Sequence, residues 1–155
     1  MRKSHHGEIK ELSKDEIEHL LGNNLLGRLS LCFNNEPYVV PIFYAYHDGK
    51  IYLHMAKRGK KIEFISRNNR ACFEVDEWGE KGWASAICYG RISLRDDFDT
   101  KKRVFEVLTE VTKGNQKISE ERVKSMDVYI GVMEIEQMTG RIGQMRKPDL
   151  TPKEV

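Results

Sequence analysis

The residues of this chain best suited to binding an anion lie together at positions 54–61. They read His54-Met55-Ala56-Lys57-Arg58-Gly59-Lys60-Lys61, after a β-branched and aromatic run at 50–53 and before apolar positions spaced as in a short helix. The free N–H groups at a helix start attract anions, Gly59 lets the backbone approach closely, and Lys60 or Lys61 adds a charge. The pattern predicts a phosphate site at this strand-to-helix corner. The alternative is an ordinary solvated cluster of cations.

Length and charge limit what the chain can be. Its 155 residues, of which 39% are hydrophobic, suffice for one domain with its own core. We expect a single domain over 1–155, with a core at about 8–143 and a flexible tail at 146–155. The 26 Lys and Arg against 24 Asp and Glu leave a formal charge of +2, which disfavours binding to nucleic acid or to an anionic membrane.

The cysteines and the N-terminus predict a compartment. The chain has three cysteines, an odd number: Cys32, Cys72 and Cys88. Each lies in an apolar, strand-like run, which predicts buried thiols in a reducing cytoplasm. No apolar stretch approaches the roughly 20 residues of a membrane span, and residues 1–6 lack the hydrophobic segment of a signal peptide. We therefore expect a cytoplasmic protein that does not span a membrane.

A metal site is not expected. His5 and His6 are adjacent and His19 lies farther on, but no Cys or carboxylate repeats at ligand spacing beside them.

The elements that must position the corner are mostly strands. A capping box of Ser13 and Glu16 predicts a first helix with Ile17, Leu20 and Leu21 on its apolar face. Shorter helices are predicted at about 59–67, after Asp97 or Asp99, and from Ser119. Six runs at hairpin spacing predict a mainly β fold, an antiparallel barrel with peripheral helices; they are 26–33, 38–46, 51–55, 71–75, 83–94 and 128–135.

The second of these runs is unusual. Its nearly unbroken apolar character predicts a strand covered on both faces. Pro41 lies inside it and cannot donate to a ladder, so we expect a bulge or a sheet edge at that position.

Several motifs in this order resemble a known family. They are Gly27-Arg28-Leu29-Ser30, Pro37-Tyr38-Val39-Val40-Pro41-Ile42 with Tyr44, Gly49-Lys50-Ile51-Tyr52-Leu53-His54 with Ala56, Gly59 and Lys61, then Cys72-Phe73-Glu74-Val75, and Trp83 and Ser85 followed by Gly90. Together they resemble the pyridoxamine 5′-phosphate oxidase-like, FMN-binding split-barrel superfamily, and most of all its branch related to 5-nitroimidazole resistance. The resemblance covers roughly residues 8–143. The joint order is far more specific than any single motif.

The resemblance implies a homodimer of six-stranded split barrels that holds two FMN molecules in clefts between subunits. It also implies the cofactor-binding residues. Those along the isoalloxazine are Val40, Pro41, Ile42 and Tyr44; those at the flavin and ribityl chain are His54, Met55 and Ala56; those at the phosphate are Gly59, Lys60 and above all Lys61. Trp83, Ser85 and Arg141 would approach the cofactor as well, with the segment 139–141 coming from the same or the partner chain.

The chain also departs from the pattern. Relatives often carry Asn-Pro where this chain has Asn68-Asn69, which changes a turn more than the site. Arg141 and Arg146 lack a nearby histidine suited to a pyridoxal phosphate substrate, so oxidation of vitamin B6 is not expected.

The expected activity follows from the cofactor. A flavin performs the redox chemistry and the protein binds and tunes it, so we expect reduction of a small acceptor, a nitroaromatic or a quinone, with electrons from NAD(P)H. No G-x-G-x-x-G fingerprint is present, so NAD(P)H would bind only transiently over the flavin. His54 is the candidate catalytic residue, as a donor of a proton or hydrogen bond; equally, it could be a structural histidine.

Two alternatives stay open. The same fold could hold haem or a deazaflavin, with His54 as an axial ligand or as part of the wall. The chain could also be a flavin-binding or redox-sensing module without turnover.

Overall fold

The computed structural model describes residues 8–114 and 117–144, and its first helix begins as the capping box requires. Helix α1 spans Lys14–Gly22. The Ser13 N–H donates to the Glu16 carboxylate at 2.7 Å, and the Glu16 N–H donates to the Ser13 hydroxyl at 3.3 Å. Ile17, Leu20 and Leu21 are buried, which confirms the predicted apolar face.

The described residues form eight strands, all paired antiparallel. They are β1 (Ile9–Glu11), β2 (Leu26–Phe33), β3 (Glu36–Phe43), β4 (Ala45–His47), β5 (Lys50–Ala56), β6 (Arg70–Gly79), β7 (Gly82–Arg95) and β8 (Val128–Gly143). The sheet order is β3-β2-β6-β7-β8-β5-β4, and β1 pairs with β8. The mainly β, antiparallel prediction is confirmed. The count of six was wrong, because β1 was missed and the run 38–46 forms two strands that are interrupted at Tyr44.

The tight turns follow their residue types. Asn34 and Asn35 have φ of 51° and 61°, and Asp48 and Gly49 have φ of 53° and 72°. Positive φ at both central residues is the geometry of a two-residue hairpin turn, and Asn, Asp and Gly tolerate it best. The sequence predicts turns at Asn34-Asn35-Glu36 and around Asp48-Gly49, and the structure has them between β2 and β3 and between β4 and β5.

Strand β3 is not covered on both faces. Val39 and Phe43 are 64% and 61% exposed, while Ile42 between them is buried. β3 ends the sheet order, and Pro41 lies opposite Arg28 of β2 in a regular register. Of the two interpretations of Pro41, the sheet edge is therefore confirmed and the bulge is wrong, because an edge strand can leave an N–H position unpaired.

Three further helices lie outside the barrel. They are α2 (Lys60–Arg67), α3 (Phe98–Val111) and α4 (Glu120–Ser125), with Gly59, Asp97 and Ser119 as their N-caps. The barrel interior is filled by a large apolar cluster that includes Leu29, Ile51, Leu53, Phe73 and Val75. A second cluster of Val104, Phe105, Val123 and Ile130 packs α3 and α4 against β8.

Not every cysteine is buried. Cys88 is inside the core, Cys72 is half-buried and Cys32 is exposed, so the prediction of three buried thiols was wrong. Cys32 faces outward on β2, on the same side of the sheet as Ser30. Within the described residues, no helix is long and apolar enough to cross a membrane. The predicted tail and His5 and His6 lie outside the described residues.

Candidate functional site

The predicted phosphate corner is an open helix start. β5 ends at Ala56 and α2 begins at Lys60, with Gly59 between them at φ 111°. L side chains rarely adopt this φ, so the position requires glycine. No side chain caps α2, and a Cβ built on Gly59 would meet nothing within 4 Å. The first-turn N–H groups are therefore open to an external anion.

The four cations at this corner differ in their partners. The Lys57 ammonium lies 2.8 Å from Asp96 and 2.9 Å from Asp127, and these hydrogen bonds raise the pKa of Lys57. The Lys60 ammonium lies 2.6 Å from Glu36. In the part of the chain that the structure describes, Arg58 and Lys61 form no ion pair. The available positive charge is therefore that of Arg58 and Lys61.

The candidates on and after β3 are divided between core and surface. Val40 is half-buried and Ile42 is buried, while Pro41 faces outward. Tyr44 is 1% exposed, its hydroxyl donates to the Leu21 carbonyl at 2.6 Å, and burial raises its pKa. Within one chain, the side chains of Ile42 and Tyr44 belong to the core. Contact with a cofactor here would come from the backbone and Pro41.

Strand alternation separates the candidates on β5. Met55 is buried in the core, whereas His54 and Ala56 point outward. The His54 ring lies 5.9 Å from the ring of Phe105 in α3 and stays exposed. His54 is accessible at the end of β5 that leads into the corner.

The remaining candidates form a second group. Ser85 of β7 lies directly opposite Arg141 of β8, and both line a groove of about 750 Å³ together with Trp83. Ile17 and Lys14 of α1 form another wall of this groove. We call Trp83, Ser85 and Arg141 the groove group.

The two groups lie far apart along one chain. His54 pairs with Ile130 at the start of β8, whereas Arg141 lies near the other end of that strand. At roughly 3.3 Å per residue, these two β8 positions are about 35 Å apart along the strand. The structure therefore separates the candidates at the corner from those of the groove group.

Sequence reasoning missed Trp78 as a candidate. Its ring stacks on Trp83 at 5.9 Å between centroids and 25° between planes, and it is 65% exposed. The two tryptophans face each other across the β6–β7 hairpin. The signal was present in the sequence, because both flank the short Gly79-Glu80-Lys81-Gly82 turn symmetrically.

Comparison with known proteins gives consistent relatives. A FAD-binding protein from Mesorhizobium loti is 31% identical, with 87% of this chain and 98% of that one covered and a TM-score of 0.71. A candidate 5-nitroimidazole antibiotic resistance protein from Bacteroides thetaiotaomicron is 23% identical, with 94% and 98% covered and a TM-score of 0.75. An uncharacterized protein of Rhizobium meliloti is 27% identical over 84 residues, so that the chain spans about half (55%) of this curated relative.

The family follows from a family-model match over most of the chain. The family model described as pyridoxamine 5′-phosphate oxidase matches residues 13–142, which include the barrel from β2 onward, the corner and the groove group. This chain belongs to the pyridoxamine 5′-phosphate oxidase family and has its antiparallel split-barrel fold.

Proposed function

We propose that this protein binds FMN between two copies of the chain and uses it to reduce a small acceptor, a nitroaromatic or a quinone, with NAD(P)H. The β5–α2 corner is the observation that carries this proposal. A bound flavin supplies hydride and electron transfer, and the chain supplies binding, orientation and access.

The corner suits a phosphomonoester. Such a group carries a charge of about −1.5 to −2 at neutral pH, and Arg58 and Lys61 offer positive charge without carboxylate partners among the described residues. Gly59 leaves the N–H groups of the α2 start uncovered. FAD is the second candidate, because the Mesorhizobium loti relative is named as FAD-binding. An adenylate attached at the phosphate would reduce the charge that the corner neutralises.

A homodimer would bring the two groups together. Arg141 lies far along β8 from the corner, and Ser85 lies opposite Arg141 on β7. A ligand held at the corner of the same chain would therefore not reach them along the strand. The outer faces of the sheet also expose large apolar side chains: Leu26, Val39, Phe43 and Tyr89. Burial of such surface favours association, which supports a partner that completes the site.

The proposed chemistry assigns a role to one protein residue. His54 is exposed beside the corner, where its imidazole could donate a proton or hydrogen bond to the bound acceptor or cofactor. Since the sequence has no dinucleotide fingerprint, NAD(P)H would bind transiently. We further propose a single domain and a cytoplasmic location.

The test begins with the purified protein. Its visible spectrum and the mass of any released chromophore distinguish flavin from haem or deazaflavin. Titration with FMN, FAD and riboflavin then measures the contribution of the phosphate. We expect FMN to bind about tenfold to a hundredfold more tightly than riboflavin, as charge-assisted hydrogen bonds worth roughly 1.5–3 kcal/mol imply. Equal affinities would show that the corner does not bind phosphate.

Turnover is tested separately. Anaerobic NAD(P)H should bleach the flavin band, and a nitroaromatic or quinone should restore it. Bleaching by dithionite but by neither nicotinamide would favour a flavin-binding module without this donor.

A further inference from the structure

Two stacked tryptophans form an exposed aromatic surface at the tip of the β6–β7 hairpin. Trp83 is held in place because its ring packs directly against the backbone of Gly143, which has no side chain to displace it. The Trp78 indole N–H donates to the Asp76 carboxylate, which also pairs with Arg28. Both rings are therefore oriented before any ligand arrives. We call Trp78 and Trp83 the aromatic shelf.

The shelf faces an open cavity of small-molecule size. The cavity measures about 690 Å³, within the range of roughly 300–1,000 Å³ that is usual for ligand pockets. Ala84 and Ile142 extend its apolar lining. Trp78 is 65% exposed, which is unusual for so large an apolar side chain. Its hydrogen bond to Asp76 holds the ring in this exposed position.

The charges around this cavity restrict the ligand. Three carboxylates and two ammonium groups line it, those of Glu8, Glu77, Glu80, Lys10 and Lys81. This rim does not favour an anion, so a nucleotide or dinucleotide fits it poorly. The faces of the indole rings are electron-rich and attract an electron-poor ring in offset stacking.

We infer that the aromatic shelf binds a neutral, planar, electron-poor aromatic compound. Its use as the docking place of the electron acceptor rests on the proposed function, whereas the binding itself does not. Trp83 lines both this cavity and the groove of Ser85 and Arg141, so a ligand on the shelf would lie next to the groove.

The test compares nitrobenzene with nitrocyclohexane, which have the same nitro group and charge but differ in ring planarity. The oxidised protein is used as purified and without electron donor, so the binding test does not require bound flavin. The chain has two tryptophans and both form the shelf, so tryptophan emission reports directly on it. We expect saturable quenching by nitrobenzene, and equilibrium dialysis should show roughly threefold to tenfold tighter binding than for nitrocyclohexane.

Variants separate the shelf from other places where nitrobenzene could bind. Trp78→Leu should reduce the preference for nitrobenzene to about onefold in dialysis, and Trp78→Phe should retain part of it. Tyr89→Leu removes another exposed aromatic ring of β7 and should leave the preference for nitrobenzene unchanged. The affinity for FMN, which tests the proposed function, should be the same in both Trp78 variants.

Several results would overturn the inference. Equal binding of the two nitro compounds would do so, as would a preference that survives in Trp78→Leu, which would place nitrobenzene elsewhere, for example on the flavin. Quenching that rises linearly without saturation would show mere collision with exposed indoles. A failure to bind FMN would overturn the proposed function but not this inference.

Discussion

At the scale of single residues, the partners of each cation decide which one can hold a phosphate. Lys57 and Lys60 each have a carboxylate within 3 Å, so an incoming phosphate would compete with an existing ion pair. Lys61 is half-buried beside the open start of α2 and forms no ion pair with the described residues. Residue spacing alone offered Lys60 or Lys61, and the family resemblance favoured Lys61; the contacts of the two lysines also favour Lys61.

Substitution of Lys61 tests this distinction. Lys61→Ala should lower the affinity for FMN by about tenfold to a hundredfold, because a charge-assisted hydrogen bond contributes roughly 1.5–3 kcal/mol. The affinity for riboflavin should stay nearly unchanged. Lys57→Ala removes the same charge from the same corner and should have little effect on either ligand. Titrations of both variants are the measurement. Equal losses in the two would indicate only a diffuse positive field.

His54 is suited to a catalytic test because the structure leaves its ring exposed at the outer face of β5. His54→Ala should slow reoxidation of the reduced flavin by a nitroaromatic roughly a hundredfold, as expected for a positioned proton donor, and should slow it more than it weakens FMN binding. Stopped-flow absorbance measures the rate. An unchanged rate would make His54 a structural residue that packs on Phe105.

At the scale of elements, the start of α2 depends on one backbone conformation. Gly59→Ala places an L side chain at φ 111°, a strained conformation that costs on the order of 1–3 kcal/mol. The space around the new Cβ is empty, so strain and not collision is responsible. Gly22→Ala is the matched control, since Gly22 also has open space but no positive φ. Urea unfolding should show a loss for the first variant and none for the second.

Helix α3 provides a prediction on pH. Asp97 caps α3 by accepting from the Thr100 N–H at 3.0 Å and the Thr100 hydroxyl at 2.7 Å, and these bonds lower the pKa of Asp97 to about 2 from an ordinary 3.8. The charged cap stabilises the fold fully above pH 3.8, and its contribution is lost as the pH falls toward 2. Asp97→Asn keeps an acceptor but cannot titrate. Its free energy of unfolding should therefore fall less steeply over this range than that of the wild type.

The elements also show what sequence alone could predict. Capping boxes, hairpin turns and apolar runs rest on contacts between near neighbours, so α1, the two-residue turns and the main strands were found. The interruption at Tyr44 was not, because it depends on long-range contacts: the Tyr44 N–H donates to the Leu25 carbonyl and its hydroxyl to that of Leu21. Strand β1 could not be predicted because its three residues are exposed and have no apolar pattern.

The extent of β8 was underestimated for a related reason. Its second half contains Glu136, Gln137 and Thr139, which interrupt the apolar pattern, yet pairing with β7 carries it to Gly143. This continuation places Thr139, Gly140 and Arg141 on a strand opposite residues 85–87. The family resemblance suggested Arg141 as a ligand contact, but periodicity could not show which side chains it would lie beside.

At the scale of the whole molecule, the exposed apolar faces predict a dimer. Val39 and Phe43 on edge strand β3 are each more than 60% exposed, and Leu26 on β2 lies beside them. Light scattering at micromolar concentration should give twice the 18.1 kDa of the chain. Val39→Lys introduces a charge on this face and should shift the equilibrium toward monomer. A monomer that binds FMN as tightly as the wild type would contradict the proposed site.

The composite site itself can be tested by mixing two defects. If each cofactor lies between the corner of one chain and the groove group of the other, Lys61→Ala and Arg141→Ala homodimers each lose every intact site. A heterodimer purified by two different tags has one site with both defects and one with neither. It should bind FMN at half of its sites with wild-type affinity, measured by titration of flavin absorbance. If corner and groove of the same chain formed the site instead, both sites of the heterodimer would carry one defect, and no wild-type affinity would return.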